Sequence, residues 1–148
     1  DVSNLEDSVS DAAMFVIYYS SGYFRSKNCR RELYAAIKLE KPIIVIYKGD
    51  SKSTMEEMIE ECINYCNDHN SPGSAFILER IFGDRQFEFV TSILEQGPIQ
   101  WLNGFGFSAM SLVIIYYRIL RNLPYYRSNP DELTNKGIMV PGELKIVL

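Results

Sequence analysis

The chain has 148 residues, of which 47% are hydrophobic and 23% are charged, an ordinary composition for one globular domain. Its net charge of -4 argues against a general nucleic-acid or anionic-membrane binder, which would need a basic patch. No segment reads as a signal peptide, and the longest apolar run, Met110–Tyr117, is too short to span a bilayer. Three cysteines without a small-domain framework indicate reduced thiols in a cytoplasmic setting.

The first residues predict a helix from Ser3 to Ser10. Ser3 can cap this helix, since Glu6 follows at the spacing of a capping box. The chain begins at Asp1 without a methionine and ends on an apolar run, residues 146–148, without a terminator. We therefore expect that both ends were cut from a longer polypeptide.

Two short apolar runs predict neighbouring parallel strands. Met14–Tyr19 and Pro42–Tyr47 consist almost entirely of apolar, β-branched and aromatic residues, which is typical of strands buried on both faces. Ser20, Ser21 and Gly22 supply turn residues after the first run. A helix between two such strands makes a βαβ crossover with a right-handed connection.

Residues 29–40 predict the helix of that crossover, and Pro42 is predicted to end it near Lys41. The predicted core face comprises Leu33, Ala36, Ile37 and Glu40, with Ala35 beside it. The predicted solvent face comprises Arg30, Arg31 and Lys38.

The loop between the first strand and this helix is the part that points to function. Parallel sheets bind ligands beyond the carboxyl ends of their strands, and residues 20–26 follow such an end. Glu32 is expected in about the first turn of the helix, where the helix dipole stabilises an anion. Two interpretations of Glu32 stay open: a charge that only compensates the dipole, or a functional carboxylate.

The sequence SSGYFRSKNCRREL, residues 20–33, resembles the central motif of TIR (Toll/interleukin-1 receptor/resistance) domains, S-x-x-Y-x-x-S-x-W-C-x-x-E-L. The positions that match in register are Ser20, Tyr23, Ser26, Cys29, Glu32 and Leu33. Asn28 stands where the family usually has tryptophan. The resemblance is sharp over residues 11–47 and loose up to Leu123.

The resemblance implies an α/β fold: a three-layer, flavodoxin-like parallel sheet with helices on both faces. Residues 1–123 would be a partial TIR-like domain, roughly its C-terminal half, with the family's first strands upstream of Asp1. Residues 124–148 would be a linker and the start of a following segment. If the match is accidental, a flavodoxin-like receiver or nucleotide binder remains, although the chain lacks the clustered strand-end aspartates of a receiver.

The resemblance also implies two functions. Many TIR domains are signalling adaptors, so association with other TIR domains, including self-association, is expected. Other TIR domains cleave NAD at the nicotinamide–ribose bond with the glutamate of this motif, which maps onto Glu32. Ser20, Ser21, Tyr23 and Ser26 would then line or shape the pocket for NAD, which would be a substrate. No cofactor, metal, nucleic acid or membrane contact of this segment is expected.

Downstream, Ser53 or Thr54 is predicted to cap a helix that runs to about Asn67. Its apolar stripe is predicted to face the core and to include Cys62 and Cys66 as packed thiols. A zinc site made of these cysteines and His69 lacks an evident fourth ligand.

Residues 75–81 are ambiguous between a strand and a helical turn, and Asp84 is predicted to cap a helix through Glu95. Ile99–Leu102 is predicted to be a strand, with Trp101 as core or groove packing.

Phe107–Asn122 is predicted to be a helix with Ser108 as its cap, and its wide apolar surface implies burial from several sides or an additional partner. Residues 124–130 are predicted to be a linker, residues 131–136 a short helical turn, and residues 137–148 a turn leading into a strand.

Overall fold

The computed structural model describes residues 4–50, 52–66, 93–104 and 106–135. The chain divides into two compact units, residues 1–100 and residues 101–148. The elements predicted at residues 75–81 and 137–148, most of the helix predicted from Asp84, and His69 lie outside the described residues. The domain boundary predicted at residue 123 stays a prediction.

The first unit is built on a small parallel sheet. Its strands are β1 (Phe15–Tyr19), β2 (Ile43–Tyr47) and β3 (Ile99–Gln100), and their order in the sheet is β1-β2-β3. Both pairings are parallel. This arrangement confirms the α/β class and the predicted parallel pairing of the first two strands. The third strand ends before Trp101 and is shorter than predicted.

The first two strands differ in burial. β2 is buried along Ile43–Ile46, as predicted, because it lies between β1 and β3. In β1, Ile17 and Tyr19 are buried, whereas Val16 and Tyr18 are 43% and 51% exposed. The prediction that β1 is buried on both faces is therefore wrong, because no element among the described residues covers its second face.

Among the described residues of this unit, the helices of five residues or more are α1 (Leu5–Asp11), α2 (Lys27–Lys38) and α3 (Met55–Cys66). The core joins the inner face of β1 and β2 to residues of α2, α3 and the loop after β1. Its buried side chains are Ile17, Tyr19, Phe24, Leu33, Tyr34, Ile43, Val45, Met58, Cys62, Cys66 and Ile93. This confirms the predicted core-facing stripe of α3 and the packed positions of Cys62 and Cys66.

Helix α2 begins and ends two residues earlier than predicted. Ser26 is its N-cap, and the Ser26 hydroxyl accepts a hydrogen bond from the Cys29 amide at 3.4 Å. At the other end, Lys41 N–H donates to the Ala36 carbonyl and Glu40 N–H donates to the Ile37 carbonyl. Glu40 has a left-handed φ of 52°. The helix is therefore ended by a Schellman motif around Glu40, two residues before the proline that was predicted to end it.

Helix α3 is capped by one of the two residues that the sequence predicted for this role. The Thr54 hydroxyl accepts a hydrogen bond from the Glu57 amide at 3.1 Å, and the Glu57 carboxylate accepts one from the Thr54 amide at 3.1 Å. These two bonds form a complete capping box. Thr54, rather than Ser53, is therefore the cap.

Helix α1 is fixed by two charged side chains from later in the same unit. Arg31 forms an ion pair with Glu6 at 2.7 Å, which joins α2 to α1. The Lys41 ammonium donates to the carbonyls of Ser10 and Ala12, at the C-terminal end of α1. A cation at this end is favourable because of the helix dipole. Asn4 is the N-cap of α1, and Ser3, the predicted cap, lies outside the described residues.

The second unit contains α4 (Phe107–Asn122), α5 (Pro124–Ser128) and α6 (Asp131–Asn135). The predicted long helix is confirmed, but its N-cap is Gly106, and the Ser108 hydroxyl donates to the Leu102 carbonyl instead. Residues 124–128 of the predicted linker are helical, because Pro124 sits in the first turn of α5, where its missing N–H costs nothing. No helix in the described parts of the chain is long and apolar enough to cross a membrane.

Candidate functional site

The loop between β1 and α2, residues 20–26, has a defined conformation at the carboxyl end of β1. Its own backbone makes three turn hydrogen bonds, from Tyr23 N–H to Ser20, from Arg25 N–H to Gly22 and from Ser26 N–H to Tyr23. Gly22 has a φ of 94°, a left-handed conformation that glycine adopts without strain. The loop therefore turns directly from the strand into the capped start of α2.

A carboxylate from α3 binds the backbone of this loop. Glu61 is only 8% exposed, and its Oε2 accepts a hydrogen bond from Gly22 N–H while its Oε1 accepts one from Phe24 N–H, both at 2.8 Å. Hydrogen bonds to an ionised acceptor are about twice as strong as neutral ones. The Arg25 guanidinium lies 3.9 Å from the same carboxylate, but its side chain is 62% exposed. The hydrogen bonds from the Gly22 and Phe24 N–H groups are therefore the main interactions that fix the loop.

Arg30 binds the carbonyl groups of the same loop. The prediction that Arg30 points to water is wrong: its side chain is 6% exposed, and Nη1 donates to the carbonyls of Phe24 at 2.6 Å and Arg25 at 2.8 Å. A guanidinium can remain buried because it carries several donors that satisfy buried acceptors. The other two residues of the predicted solvent face behave as expected, since Lys38 is exposed and Arg31 is half-buried in its ion pair.

The aromatic residues of the loop stack into the core. Phe24 is fully buried and stacks on Tyr19 with ring centroids 5.9 Å apart. The Tyr23 ring meets Phe24 edge-on at 5.1 Å. Burial, and next the negative charge of Glu61, raises the pKa of Tyr19 to about 12. The phenol of Tyr19 is therefore neutral at physiological pH and lies next to the carboxylate that holds the loop.

Tyr23 and Glu32, two of the predicted site residues, lie within electrostatic range of each other. Burial is the main cause that raises the pKa of Tyr23, and the charges of Cys29, Glu32 and Cys66 raise this pKa further. Glu32 is half-buried and lies in the second turn of α2, because the helix begins at Lys27. The predicted placement in the first turn, with stabilisation by the helix dipole, is therefore wrong. Among the described residues, the Glu32 carboxylate makes no ion pair or hydrogen bond.

The three predicted serines differ in what they offer to a ligand. Ser20 and Ser21 are exposed at the tip of the loop, whereas the hydroxyl of Ser26 is engaged as the cap of α2. Asn28, at the position where the motif usually has tryptophan, is exposed on the first turn of α2. The structure thus leaves the hydroxyls of Ser20 and Ser21 open to solvent and uses that of Ser26 for the helix.

The cysteines of α3 belong to the core beside this site. The Cys62 thiol donates to the Cys66 sulfur at 3.9 Å, and the Tyr34 hydroxyl donates to the Cys66 carbonyl at 3.4 Å. The hydrogen bond to Cys66 and burial raise the pKa of Cys62, so its thiol stays protonated. In the part of the chain that the structure describes, no group of three or more His, Cys, Asp or Glu residues could hold a metal ion.

Sequence reasoning missed two of the residues that shape the site, Glu61 and Arg30. Both residues have charged neighbours in the sequence, and charge alone does not show which residue of such a group is buried. For Glu61 one signal existed: it lies between the core-facing Met58 and Cys62, on the side of α3 that the apolar stripe already assigned to the core. A charged residue inside such a stripe needs a buried partner.

No family model matches the chain. The searches of curated proteins and of solved structures found no match either.

Proposed function

We propose that this chain is a TIR-like cytoplasmic signalling module that acts by associating with other domains of its kind. The proposal takes the three-stranded parallel sheet as part of a flavodoxin-like, three-layer fold with helices on both faces. The motif at residues 20–33 and the βαβ unit that carries it support this assignment.

One observation carries the association: an exposed apolar stripe on α4. The α4 stripe consists of Ala109, Leu112, Val113 and Tyr116, which repeat at helical spacing and are all exposed. Leu112, Val113 and Tyr116 are 55%, 43% and 58% exposed. Apolar side chains grouped in this way mark an interaction surface.

A second copy of the domain is the occupant we propose for the α4 stripe. The stripe carries no charge, so two such stripes can face each other without electrostatic repulsion. Apolar ridges on one helix fit the grooves of another, and a tyrosine is a residue type enriched in protein interfaces. Homotypic helix packing therefore suits this surface.

Sedimentation of the intact protein across the micromolar range tests this proposal. Leu112→Lys buries a charge in the interface and is expected to weaken association at least about tenfold. Leu39→Lys is the matched control, since Leu39 is a leucine of similar exposure, 44%, at the end of α2 and is not part of the stripe. A protein that stays monomeric throughout, or equal weakening by both substitutions, would contradict the proposal.

NAD cleavage with Glu32 as the catalytic carboxylate is the second candidate function. The observation that favours it is the half-buried Glu32 carboxylate near Tyr23, without an ion pair among the described residues. The neighbouring arginines do not neutralise it, because Arg30 binds loop carbonyls and Arg31 binds Glu6.

The chemistry needs a carboxylate of this kind. Cleavage of the nicotinamide–ribose bond develops positive charge on the ribose, which a nearby carboxylate stabilises while it holds the ribose hydroxyls. Nicotinamide leaves as a neutral molecule from a cationic ring, so strong general-acid help is not required, and water then forms the new bond to the ribose carbon and releases a proton, which gives ADP-ribose. Ser20 and Ser21 are the exposed hydroxyls of the loop that can bind the nucleotide.

Release of nicotinamide from NAD by the intact protein, at high protein concentration, tests this candidate. Glu32→Ala is expected to reduce turnover at least about 100-fold without lowering the melting temperature. Glu60→Ala removes an exposed glutamate from α3 and serves as the control. Equal turnover in wild type and Glu32→Ala would exclude Glu32 as the catalytic residue, and no turnover in folded wild-type protein would exclude the activity.

A further inference from the structure

We propose that Glu61 is a positioning residue, whose carboxylate holds the loop at residues 20–26, and with it Tyr23, in the conformation that the candidate site around Glu32 requires. The inference rests on the second candidate function, NAD cleavage, for its consequence in catalysis. Its geometric part, the placement of Tyr23, stands on contacts of the described residues.

The two hydrogen bonds of Glu61 fix the backbone on both sides of Tyr23. Gly22 N–H and Phe24 N–H each donate to a different oxygen of the carboxylate at 2.8 Å. The donors are the residues immediately before and after Tyr23, so the bonds fix the direction in which the Tyr23 side chain leaves the backbone. Packing completes the hold, because the buried Phe24 ring supports the Tyr23 ring edge-on.

A carboxylate fits this pair of donors, and an amide of the same size does not. A carboxylate offers acceptors on both oxygens, whereas the amide of glutamine offers one acceptor and one donor group. In Glu61→Gln one of the two loop amides would therefore face an N–H₂ group and lose its partner inside a buried site. Glutamine has nearly the same size, so the substitution changes the hydrogen bonding and leaves the packing of α3 in place.

The held phenol is suited to act together with Glu32. Tyr23 lies within electrostatic range of Glu32, and it stays protonated because its pKa is raised, first of all by burial. A neutral phenol can donate a hydrogen bond to a substrate hydroxyl while the carboxylate next to it carries the negative charge. Release of the loop would separate these two groups, and catalysis would fall even though Glu61 itself touches no reacting atom.

The first experiment measures the placement of Tyr23 without reference to activity. In the wild-type background, Glu32→Gln is expected to shift the ring resonances of Tyr23, assigned with Tyr23→Phe. In the Glu61→Gln background, Glu32→Gln is expected to shift the Tyr23 resonances by less than about half of the wild-type shift. The difference between the two shifts is the coupling that this double-mutant cycle measures. The amides of Gly22 and Phe24 should also exchange with solvent at least about tenfold faster in Glu61→Gln. Unchanged coupling or unchanged exchange would overturn the proposal.

The second experiment measures NAD turnover in Glu61→Gln, with Glu60→Gln as the control on the exposed neighbour of α3. If wild-type protein cleaves NAD, Glu61→Gln should lower kcat at least about tenfold and change KM less, at a temperature where both variants are folded. An unchanged kcat would overturn the catalytic role of Glu61. If wild-type protein cleaves no NAD, the second candidate function fails, and the resonance coupling alone decides whether Glu61 positions Tyr23.

Discussion

Arg30 Nη1 donates a hydrogen bond to the carbonyl oxygen of Phe24 at 2.6 Å, from a side chain that is only 6% exposed. This contact joins the first turn of α2 to the loop that precedes it. The same nitrogen reaches the Arg25 carbonyl at 2.8 Å, so one guanidinium satisfies two consecutive acceptors. The Arg30 guanidinium therefore binds carbonyl groups of the loop, while the Glu61 carboxylate binds N–H groups of the same loop.

Arg30→Met is expected to lower the free energy of unfolding by about 2–3 kcal/mol, because two loop carbonyls lose a charged donor inside the protein. Urea unfolding measures this change. Arg31→Met is the matched control one residue later: its ion pair with Glu6 is partly exposed, and its loss is expected to cost about 0–1 kcal/mol. Equal losses in the two variants would show that the hydrogen bonds of Arg30 contribute no more than a surface ion pair.

Glu40→Gly is expected to stabilise the protein by up to about 1 kcal/mol, since Glu40 is exposed and holds a left-handed φ of 52° that glycine adopts without strain. Thermal unfolding is the measurement. Lys38→Gly, in the last turn of the same helix, should instead destabilise the protein by about 1 kcal/mol, because it places glycine in helical conformation. A loss of stability in Glu40→Gly would mean that the Schellman motif does not strain Glu40.

Thr54→Ala is expected to cost about 1 kcal/mol, because it removes the hydroxyl that accepts a hydrogen bond from the Glu57 amide at the start of α3. Thr54→Ser keeps this acceptor and should retain most of the stability. Denaturant titration of the three proteins is the check, and similar losses in the two variants would point to the threonine methyl group instead of the cap.

Stability is expected to fall as the pH rises from about 10 to about 12, because burial raises the pKa of Tyr19 to about 12. The unfolded chain releases the tyrosine proton near pH 10 while the folded protein retains it. The folded state therefore binds more protons in this window, and each such tyrosine lowers the free energy of unfolding by up to about 1.4 kcal/mol per pH unit. The stability that Tyr19 contributes is fully present below pH 10 and is lost through pH 12.

Urea unfolding at a series of alkaline pH values measures this slope. Tyr19→Phe removes one ionisable group and is expected to flatten the curve between pH 10 and pH 12. Curves of wild type and Tyr19→Phe that stay parallel throughout this window would assign the alkaline loss to other groups, such as Tyr23 and Tyr34, whose pKa values burial also raises.

The sequence alone was enough to predict the elements whose signals are local. The runs at Phe15–Tyr19 and Ile43–Tyr47 form parallel strands, α3 starts at one of the two cap residues predicted, Ser53 or Thr54, and the apolar stripe of α3 enters the core. Each of these depends on spacing within a dozen residues or fewer, where periodicity and turn chemistry are informative.

Local rules gave wrong boundaries where two signals compete. Helix α2 was predicted to end at the proline, but it ends earlier in a Schellman motif that uses Glu40 in a left-handed conformation. Glutamate is an uncommon residue for that position, so the sequence carried no sign of it. The linker predicted at residues 124–130 is partly helical because a proline can begin a helix as well as interrupt one.

Only the tertiary structure decided which charged residues are buried around the loop. Glu61 lies 39 positions from Gly22 and 37 from Phe24, and no local pattern links such distant residues. Charged residues are exposed by default, so nothing in the sequence indicated that Arg30 is buried, and the place of Glu61 in the apolar stripe of α3 could not reveal which groups it binds. Local sequence therefore determined the strand–loop–helix–strand unit, whereas contacts between distant segments determined the conformation of its loop and the surroundings of Glu32.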